Sequence, residues 1–125
     1  MNPAHLFRQD SDTLALAPGE ALFRANEVGR EMFVLIDGSV DILVEGTVVE
    51  QAGPGALLGE MALIEQAPRA ATVVAQTPCR LARINERRFH FLIQQNPFFA
   101  SHVMKVLADR LRKMNQRMKR PESPA

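Results

Sequence analysis

Residues 59–73 read GEMALIEQAPRAATV, and this segment carries the most specific pattern in the chain. The acid Glu60 stands nine positions before the base Arg69, with a short apolar run and a proline between them, and the β-branched run that follows predicts a strand. A short helix that begins after Glu60 would leave the backbone N–H groups of its first turn without intrahelical partners. Those N–H groups and the helix dipole favour a small anion at this end of the helix. The amides expected to face the anion are those of Met61, Ala62 and Leu63.

Glu60 and Arg69 are expected to bind two different groups of one ligand. Arg69, which follows the loop at Pro68, is placed to add a charge-assisted contact to the same anion, worth about 1.5–3 kcal/mol. Because Glu60 repels an anion, its expected partner is a hydroxyl donor beside it, and a sugar phosphate supplies both groups. The alternative is that Glu60 and Arg69 form an ion pair with each other and bind nothing, a contact worth only ~0–1 kcal/mol at a surface.

This segment resembles the phosphate-binding cassette of the cyclic nucleotide-binding domain family, including its bacterial members. The match is nearly residue for residue with the form found in regulatory subunits of the cAMP-dependent protein kinase. The resemblance implies that Glu60 holds the ribose 2′-hydroxyl, that Arg69 pairs with the cyclic phosphate, and that amides near Ala62 and Ala70 help to hold the phosphate oxygens. The cassette residues implied to contact the ligand are Gly59, Glu60, Met61, Ala62, Arg69 and Ala70.

The base of the nucleotide is less well specified than the phosphate. In the resembled family a hydroxyl residue directly after the cassette arginine favours guanine, and this chain has Ala70 there, so cAMP is the expected ligand and cGMP stays open. Related domains close the site with an arginine or an aromatic side chain from the last helix. The chain has no Trp or Tyr, and Arg110 lies where a guanidinium would stack on a purine. Some apolar residues suit either a purine wall or an ordinary core: Val34, Leu35, Leu58 and Val73.

The pattern of residues 14–84 predicts a β fold. Short β segments alternate there with turn signals, and many short strands at such spacing indicate a sandwich or a barrel. Asp37-Gly38 is the strongest hairpin signal, because both central positions of a type I′ turn need positive φ, and Glu45-Gly46 predicts a further turn. The resemblance implies a mainly β fold: a jelly-roll β-barrel, or double-stranded β-helix, followed by C-terminal helices.

After the predicted strands the apolar period changes from two residues to 3.6. Asn85 predicts an N-cap for a helix over residues 86–95, and Asn96 with Pro97 predicts the end of that helix and the start of another. An apolar seam in the last helix is expected to lie on the barrel, on a second copy of the chain, or first on one and then on the other. A homodimer through this helix is therefore one expectation. The seam consists of Val103, Leu107, Leu111, Met114 and Met118.

The length of 125 residues suits one domain with a sizeable core and is too short for two. The first residues are polar and predict an irregular end, with Leu6 and Phe7 as an anchor. The expected organisation is a short N-terminal segment over residues 1–13, a cyclic nucleotide-binding domain over 14–118 with its barrel at 14–84 and its helices at 86–118, and a disordered tail over 119–125.

Composition excludes several classes of protein. No run approaches eighteen apolar residues and the N-terminus has no apolar signal core, so neither a membrane span nor export is expected, and we expect a cytoplasmic protein. The single cysteine, Cys79, excludes an internal disulfide and predicts a small core residue. The sequence holds no nucleophile elbow or phosphate-cradling lysine loop, so an enzyme is not expected. Three widely separated histidines predict no metal site: His5, His90 and His102.

Charge is unevenly distributed along the chain. Residues 1–60 hold three basic side chains against ten acidic ones, whereas residues 61–125 hold twelve against four. The basic side chains of the last helix form either a solvated face or a docking face for an acidic partner. Nucleic-acid binding is not expected, because the chain has no second recognition motif such as a helix-turn-helix.

The expected function is that of a free-standing cyclic nucleotide-binding regulatory domain, bacterial in style because no kinase, channel or DNA-binding module is attached. Ligand would shift the population of conformations by drawing the cassette toward Arg69 and the terminal helices over the base. An effector protein would then respond to that change. The alternatives are a scaffold or dimerisation module that keeps the fold without binding nucleotide, and a fragment of a larger regulator or channel.

Overall fold

The structure, a computed structural model, describes residues 2–118 and consists there of eight strands and four helices. The elements in chain order are α1 (Ala4–Phe7), β1 (Thr13–Leu16), β2 (Ala21–Phe23), β3 (Glu31–Asp37), β4 (Val40–Val44), β5 (Thr47–Ala52), β6 (Leu57–Leu58), α2 (Met61–Ile64), β7 (Thr72–Ala75), β8 (Cys79–Asn85), α3 (Glu86–Gln95) and α4 (Pro97–Met118). None of these helices combines the length and the apolar character that crossing a bilayer requires. The predicted disordered tail, residues 119–125, lies outside the described residues.

The eight strands form two four-stranded antiparallel sheets. The first sheet has the order β1-β8-β3-β6 and the second has the order β2-β7-β4-β5. Apart from β4 and β5, which are neighbours in the second sheet, consecutive strands thus alternate between the sheets, and the strand order is that of a jelly roll, in which two sheets face each other. The expected mainly β fold with C-terminal helices is confirmed.

Strand β3 shows how the layers are arranged, because both of its faces are buried. Successive side chains of a strand point to opposite sides of the sheet. Met32 and Val34 belong to an apolar cluster that also contains Phe99 of α4, whereas Phe33 and Leu35 belong to a cluster between the two sheets. The first sheet is therefore the middle layer, with the second sheet on one face and the helices on the other.

The hairpin predicted at Asp37-Gly38 is wrong. The strands on either side of it, β3 and β4, lie in different sheets, and Gly38 has a positive φ of 96° while Asp37 does not have one. A Cβ on Gly38 would overlap the carbonyl oxygen of Pro78, so glycine permits a close approach of two chain segments there. The two-residue hairpin lies instead at Glu45-Gly46, where both residues have positive φ, 51° and 79°, as a type I′ turn requires.

The predicted helix starts are confirmed. The Asn85 side chain accepts a hydrogen bond of 2.8 Å from the amide of Arg88, three positions into α3. Asn96 does the same for the amide of Phe99 at 3.0 Å, and Pro97 occupies the first position of α4. Both asparagines satisfy an N–H group that a helix N-terminus leaves without an intrahelical partner.

The apolar seam of α4 lies on the barrel only over its first part. Val103 is buried and Leu107 half-buried, and both pack with the cluster under the helices. Leu111 is 60% exposed, so the seam leaves the barrel one turn later. The side chains of Met114 and Met118, which the prediction also placed in the seam, lie outside the described part of the structure.

The N-terminal segment contains the short helix α1, so the expectation of an irregular start was wrong for these residues. Polar composition concealed a local hydrogen bond just before the helix, in which the Asn2 side chain accepts from the amide of Ala4 at 2.9 Å. The predicted anchor is confirmed, since Phe7 is buried and its ring meets that of Phe99 edge-on at 6.1 Å. The segment is thereby packed against the helical layer.

Candidate functional site

Arg69 lies inside the protein, between the end of α2 and β7. It is only 7% exposed, and its Nη1 donates to the carbonyl oxygens of Glu31 at 2.7 Å and of Gly59 at 3.2 Å. The guanidinium carbon stands 4.2 Å from the centre of the Phe23 ring, within the range of a cation–π contact. Two strands, β2 and β3, and the cassette itself thus fix the position of one charged group.

Two glycines make room for this guanidinium. Gly59 has φ of 77°, and a Cβ there would overlap Arg69 Nη1 and approach the Phe23 ring at 3.1 Å. A Cβ on Gly29 would overlap the guanidinium as well. The sequence analysis named Gly59 only as a cassette residue in contact with the ligand and did not identify Gly29, which stands forty positions before Arg69.

The charge of Arg69 has no acid beside it. Among the described residues no carboxylate lies within ion-pair distance of its guanidinium, and its Nε and Nη2 donate no hydrogen bond. Burial lowers the pKa of Arg69, while the more distant charges of Glu31 and Glu27 partly oppose that shift. A buried cation held by carbonyl dipoles alone retains donors and charge for an anion.

Glu60 is fully buried at the start of α2, and a cation on α4 balances its charge. Its Oε1 forms an ion pair with Nη1 of Arg110 on α4, and Arg110 Nη2 donates to the carbonyl oxygen of Leu57 at 2.9 Å. Glu60 Oε2 accepts no hydrogen bond from any residue that the structure describes. The alternative of a Glu60–Arg69 ion pair is wrong, because each residue has other partners.

The amides of α2 differ from the expectation. The N–H of Ala62 donates to the Gly59 carbonyl at 3.2 Å and that of Leu63 to the Glu60 carbonyl at 3.0 Å, so these two groups are not free. The helix has only four residues, and its first turn is closed by short-range bonds to the preceding carbonyls. Within residues 2–118, the N–H groups of Met61 and of the exposed Ala70 make no such bond.

A cavity of about 290 Å³ lies between α4 and strands β4 to β6. Its size is near the lower end of the range for small-molecule pockets. Arg110 stands at its edge, where burial lowers the pKa of the guanidinium and Glu50 opposes the shift. Of the four apolar residues considered as a purine wall, Leu58 lines the cavity, while the others are buried and lie outside its lining. Its lining includes Ile42, Ala52, Leu58, His102, Val106 and Arg110.

Sequence comparison relates this site to proteins of known class. The sequence profile of the family described as cyclic nucleotide-binding domain matches residues 13–96. The chain is 37% identical over 92 residues to a cyclic nucleotide-gated potassium channel of Mesorhizobium japonicum, and the aligned region covers 74% of this chain and 25% of the channel. It is 36% identical over 75 residues to the cAMP-dependent protein kinase regulatory subunit of Yarrowia lipolytica, which covers 60% of this chain and 20% of the subunit. The chain thus spans a quarter or less of these relatives.

Structure comparison agrees with the sequence comparison. The catabolite activator protein of Thermus thermophilus superposes with a TM-score of 0.75 at 25% identity, over 85% of this chain and 52% of that one. A structure from work on a cyclic-GMP-dependent signalling pathway that regulates bacterial phytopathogenesis superposes with a TM-score of 0.74 at 26% identity, over 89% of this chain and 92% of that one.

Proposed function

Because the chain belongs to the cyclic nucleotide-binding domain family, we propose that it is a regulatory domain that senses cAMP. In this proposal Arg69 holds the cyclic phosphate, Glu60 accepts a hydrogen bond from the ribose 2′-hydroxyl, and Arg110 closes the site from α4. The domain carries out no reaction of its own. Its output is a change in the position of α4 to which another part of the protein, or another chain, responds.

The observation that carries the proposal is the buried charge of Arg69 with no acid beside it. Keeping a guanidinium at 7% exposure with only carbonyl partners is costly, because a buried charge loses its hydration. An anion delivered to Arg69 restores a charge-assisted hydrogen bond worth about 1.5–3 kcal/mol. A cyclic phosphodiester carries a single negative charge and so brings one counter-charge to one cation.

Glu60 suits the sugar of the same ligand. Its Oε2 is buried and accepts no hydrogen bond from a described residue, so this oxygen can accept one from a ligand. A phosphate is excluded beside a carboxylate by charge, whereas a ribose hydroxyl donates to it. Glu60 and Arg69 are the two ends of one cassette and flank Gly59 in space, which suits a ligand whose hydroxyl and phosphate share one ring.

The cavity beside α4 is the proposed place for the purine. Arg110 borders it and simultaneously pairs with Glu60, so a base that enters must share or rearrange this contact. We propose that Arg110 stacks on the base when it does so. Ligand drives a movement of α4 only to the extent that it binds the rearranged form more tightly than the present one.

Exposed Ala70 leads us to propose cAMP over cGMP. A serine or threonine there would offer guanine a hydroxyl partner, and alanine offers none. Relatives bear on both ligands, since one is a cAMP-dependent kinase subunit and another belongs to a cyclic-GMP-dependent pathway. The proposal also places the domain in the cytoplasm, where these messengers act and where a free thiol such as that of Cys79 persists.

Isothermal titration with cAMP, cGMP and 5′-AMP tests the proposal. We expect cAMP to bind most tightly, and 5′-AMP, which has the same base and sugar with an open dianionic phosphate, to bind at least tenfold more weakly. At a hundred times its Kd, cAMP is expected to raise the free energy of unfolding by about 2.7 kcal/mol. If none of the three nucleotides binds, the chain is a scaffold that has kept the fold.

A second titration tests the choice of base. The variant Ala70→Thr adds a hydroxyl at an exposed position, so the fold is expected to be unaffected. We expect its affinity for cGMP to rise several-fold while its affinity for cAMP stays within twofold. An equal change for both nucleotides would mean that Ala70 does not contact the base.

A further inference from the structure

The outward side of α4 carries three columns of residues in which each member stands seven positions after the last. All of them are exposed, and the two large apolar side chains, Met104 and Leu111, are 62% and 60% exposed. A spacing of seven keeps each column on one side of a helix. The columns are Ser101, Ala108 and Asn115 in the centre, Met104 and Leu111 on one side, and Lys105 and Arg112 on the other. We call these seven residues the outer face of α4.

The outer face is not needed to hold α4 on the protein. The opposite side of the helix does that, through buried Phe99 and Val103 and through the contacts of Arg110 with Glu60 and Leu57. Met104 and Leu111 belong to neither apolar cluster of the described residues, and an exposed apolar column on a helix already anchored elsewhere points to a binding surface.

We propose that the outer face of α4 binds an amphipathic helix of another protein, whose acidic residues lie opposite Lys105 and Arg112. The small central column lets a second helix approach closely, while Met104 and Leu111 provide the apolar contact. From residue 101 to residue 115 the face is about 22 Å long, at 1.5 Å per residue, which is the span of two heptads.

Charge complementarity is the reason for expecting an acidic partner. No acid belongs to the outer face, and Lys105 forms no ion pair with a described residue. Arg112 pairs with Asp109, but both side chains are largely exposed, and such a pair is worth at most about 1 kcal/mol and is easily exchanged. An acidic helix therefore gains two ion pairs along one edge of the contact.

A second copy of this chain fits the same face less well. It would bring a second pair of cations, Lys105 and Arg112, and no acid to pair with those of the first copy, so no ion pair would stabilise the contact. The observations thus favour a different chain as the partner, and self-association becomes an outcome of the test.

The test is fluorescence anisotropy with a labelled synthetic helix of about three heptads, with a leucine seam flanked by glutamates. The matched probe replaces each flanking glutamate with lysine. We expect the acidic helix to bind at least tenfold more tightly than the basic one, with an affinity that falls as salt is added. The double variant Lys105→Glu/Arg112→Glu is expected to reverse this preference, and Leu111→Glu to weaken both probes at least tenfold.

Lys113→Glu provides the control on the same helix. This residue follows Arg112 directly but lines the cavity on the other side of α4, so its reversal is expected to leave peptide affinity within twofold. Unchanged circular dichroism and cAMP titration of each outer-face variant show that the fold is intact. A chain that binds no nucleotide still tests this proposal, because the probe does not use the nucleotide site.

Three results would overturn the proposal. One is that neither helical probe binds, and another is that both bind equally before and after the charge reversal. The third is that sedimentation equilibrium shows a dimer at the assay concentration that Leu111→Glu dissociates, because the outer face would then belong to a second copy of the chain.

Discussion

The two arginines of the site are held in opposite ways. In the part of the site formed by the strands and the cassette, which we call the barrel half, Arg69 is fixed by the carbonyl oxygens of Glu31 and Gly59, so its charge is oriented by dipoles and not neutralised. In the part formed by α4, which we call the helical half, Arg110 extends to the buried carboxylate of Glu60, so its charge is matched before any ligand arrives. The barrel half therefore holds a positive charge with no acid beside it, whereas in the helical half the charges of Arg110 and Glu60 are already paired.

This difference assigns separate roles to the two halves. The barrel half is built on strands and a short cassette, so its geometry is ready for an anion and its binding energy needs no rearrangement. The helical half depends on a contact between Glu60 and a side chain of α4, and a ligand that reaches Glu60 must act on that contact. Affinity is therefore expected to come mainly from Arg69, and any conformational response from Arg110.

The largest effect is expected from Arg69→Met. Methionine keeps an apolar side chain near Phe23 and removes the charge, so affinity for cAMP is expected to fall about a hundredfold, from the loss of a contact worth up to ~3 kcal/mol. The unliganded protein is expected to be as stable as the original or more so, since a buried charge without an acid is removed. Titration calorimetry and chemical denaturation measure the two quantities.

Arg80→Met is the matched control. Arg80 also donates to backbone carbonyl oxygens, those of Arg8 and Asp10, but on β8 it alternates with Leu81 and so faces the helical side of the first sheet, whereas Arg69 lies against Phe23 on the other side. Its replacement is expected to leave affinity for cAMP within twofold. Equal losses in the two variants would remove the distinction between Arg69 and an ordinary structural arginine.

Local signals in the sequence predicted the local features of this fold correctly. Asn85 and Asn96 cap the helices that they were expected to cap, because an N-cap depends on residues only three positions away. The hairpin prediction at Asp37-Gly38 was wrong because a turn dipeptide does not reveal which sheet the next strand joins. That choice depends on β3 pairing with β8, which begins more than forty residues later.

The next effect in size is expected from Gly59→Ala. A Cβ at φ of 77° costs roughly 1–2 kcal/mol in the backbone, and the added carbon overlaps Arg69 Nη1, so the guanidinium must move. We expect stability to fall by about that amount and affinity for cAMP to fall at least tenfold. Gly46→Ala is the control, because Gly46 also has a positive φ, 79°, but nothing lies within 4 Å of its added Cβ. It shares the backbone cost without the overlap, so comparable losses of cAMP affinity in both variants would mean that the position of Arg69 does not depend on Gly59.

The partners of the site residues could not be predicted from local sequence. Glu60 and Arg69 were identified by the cassette pattern, but the pairing of Glu60 with Arg110 joins positions fifty residues apart. The Ala62 and Leu63 amides are bonded because the chain already turns at Glu60, whose φ and ψ are helical, whereas the sequence predicted the helix only from the next residue. The sequence therefore predicted which residues form the site, but not which atoms those residues contact.

A smaller loss of affinity, but a larger loss of stability, is expected from Arg110→Met. This change leaves the Glu60 carboxylate buried without a cation, which is expected to lower the free energy of unfolding by about 1–2 kcal/mol, after allowing for the 38% exposure of Arg110. Affinity for cAMP is expected to fall by about tenfold or less. Arg112→Met, on the same helix and exposed, should change neither quantity. If Arg110→Met and Arg69→Met shift stability in the same direction, the contrast between the two halves fails.

The smallest effect concerns His102, which lines the cavity from α4. Burial and the charge of Lys105 lower its pKa from the ordinary value of 6.5, while hydrogen bonding to the Gly55 backbone opposes the shift. A histidine whose pKa is lower in the folded state takes up its proton more readily when unfolded. Its contribution therefore destabilises the fold as the pH falls below about 6.5. The measurement is the change in Tm between pH 7.5 and pH 5.5, which is expected to be smaller in His102→Gln than in the original chain. An identical change in both proteins would show that protonation of His102, on the helical half, does not contribute to the pH dependence of stability.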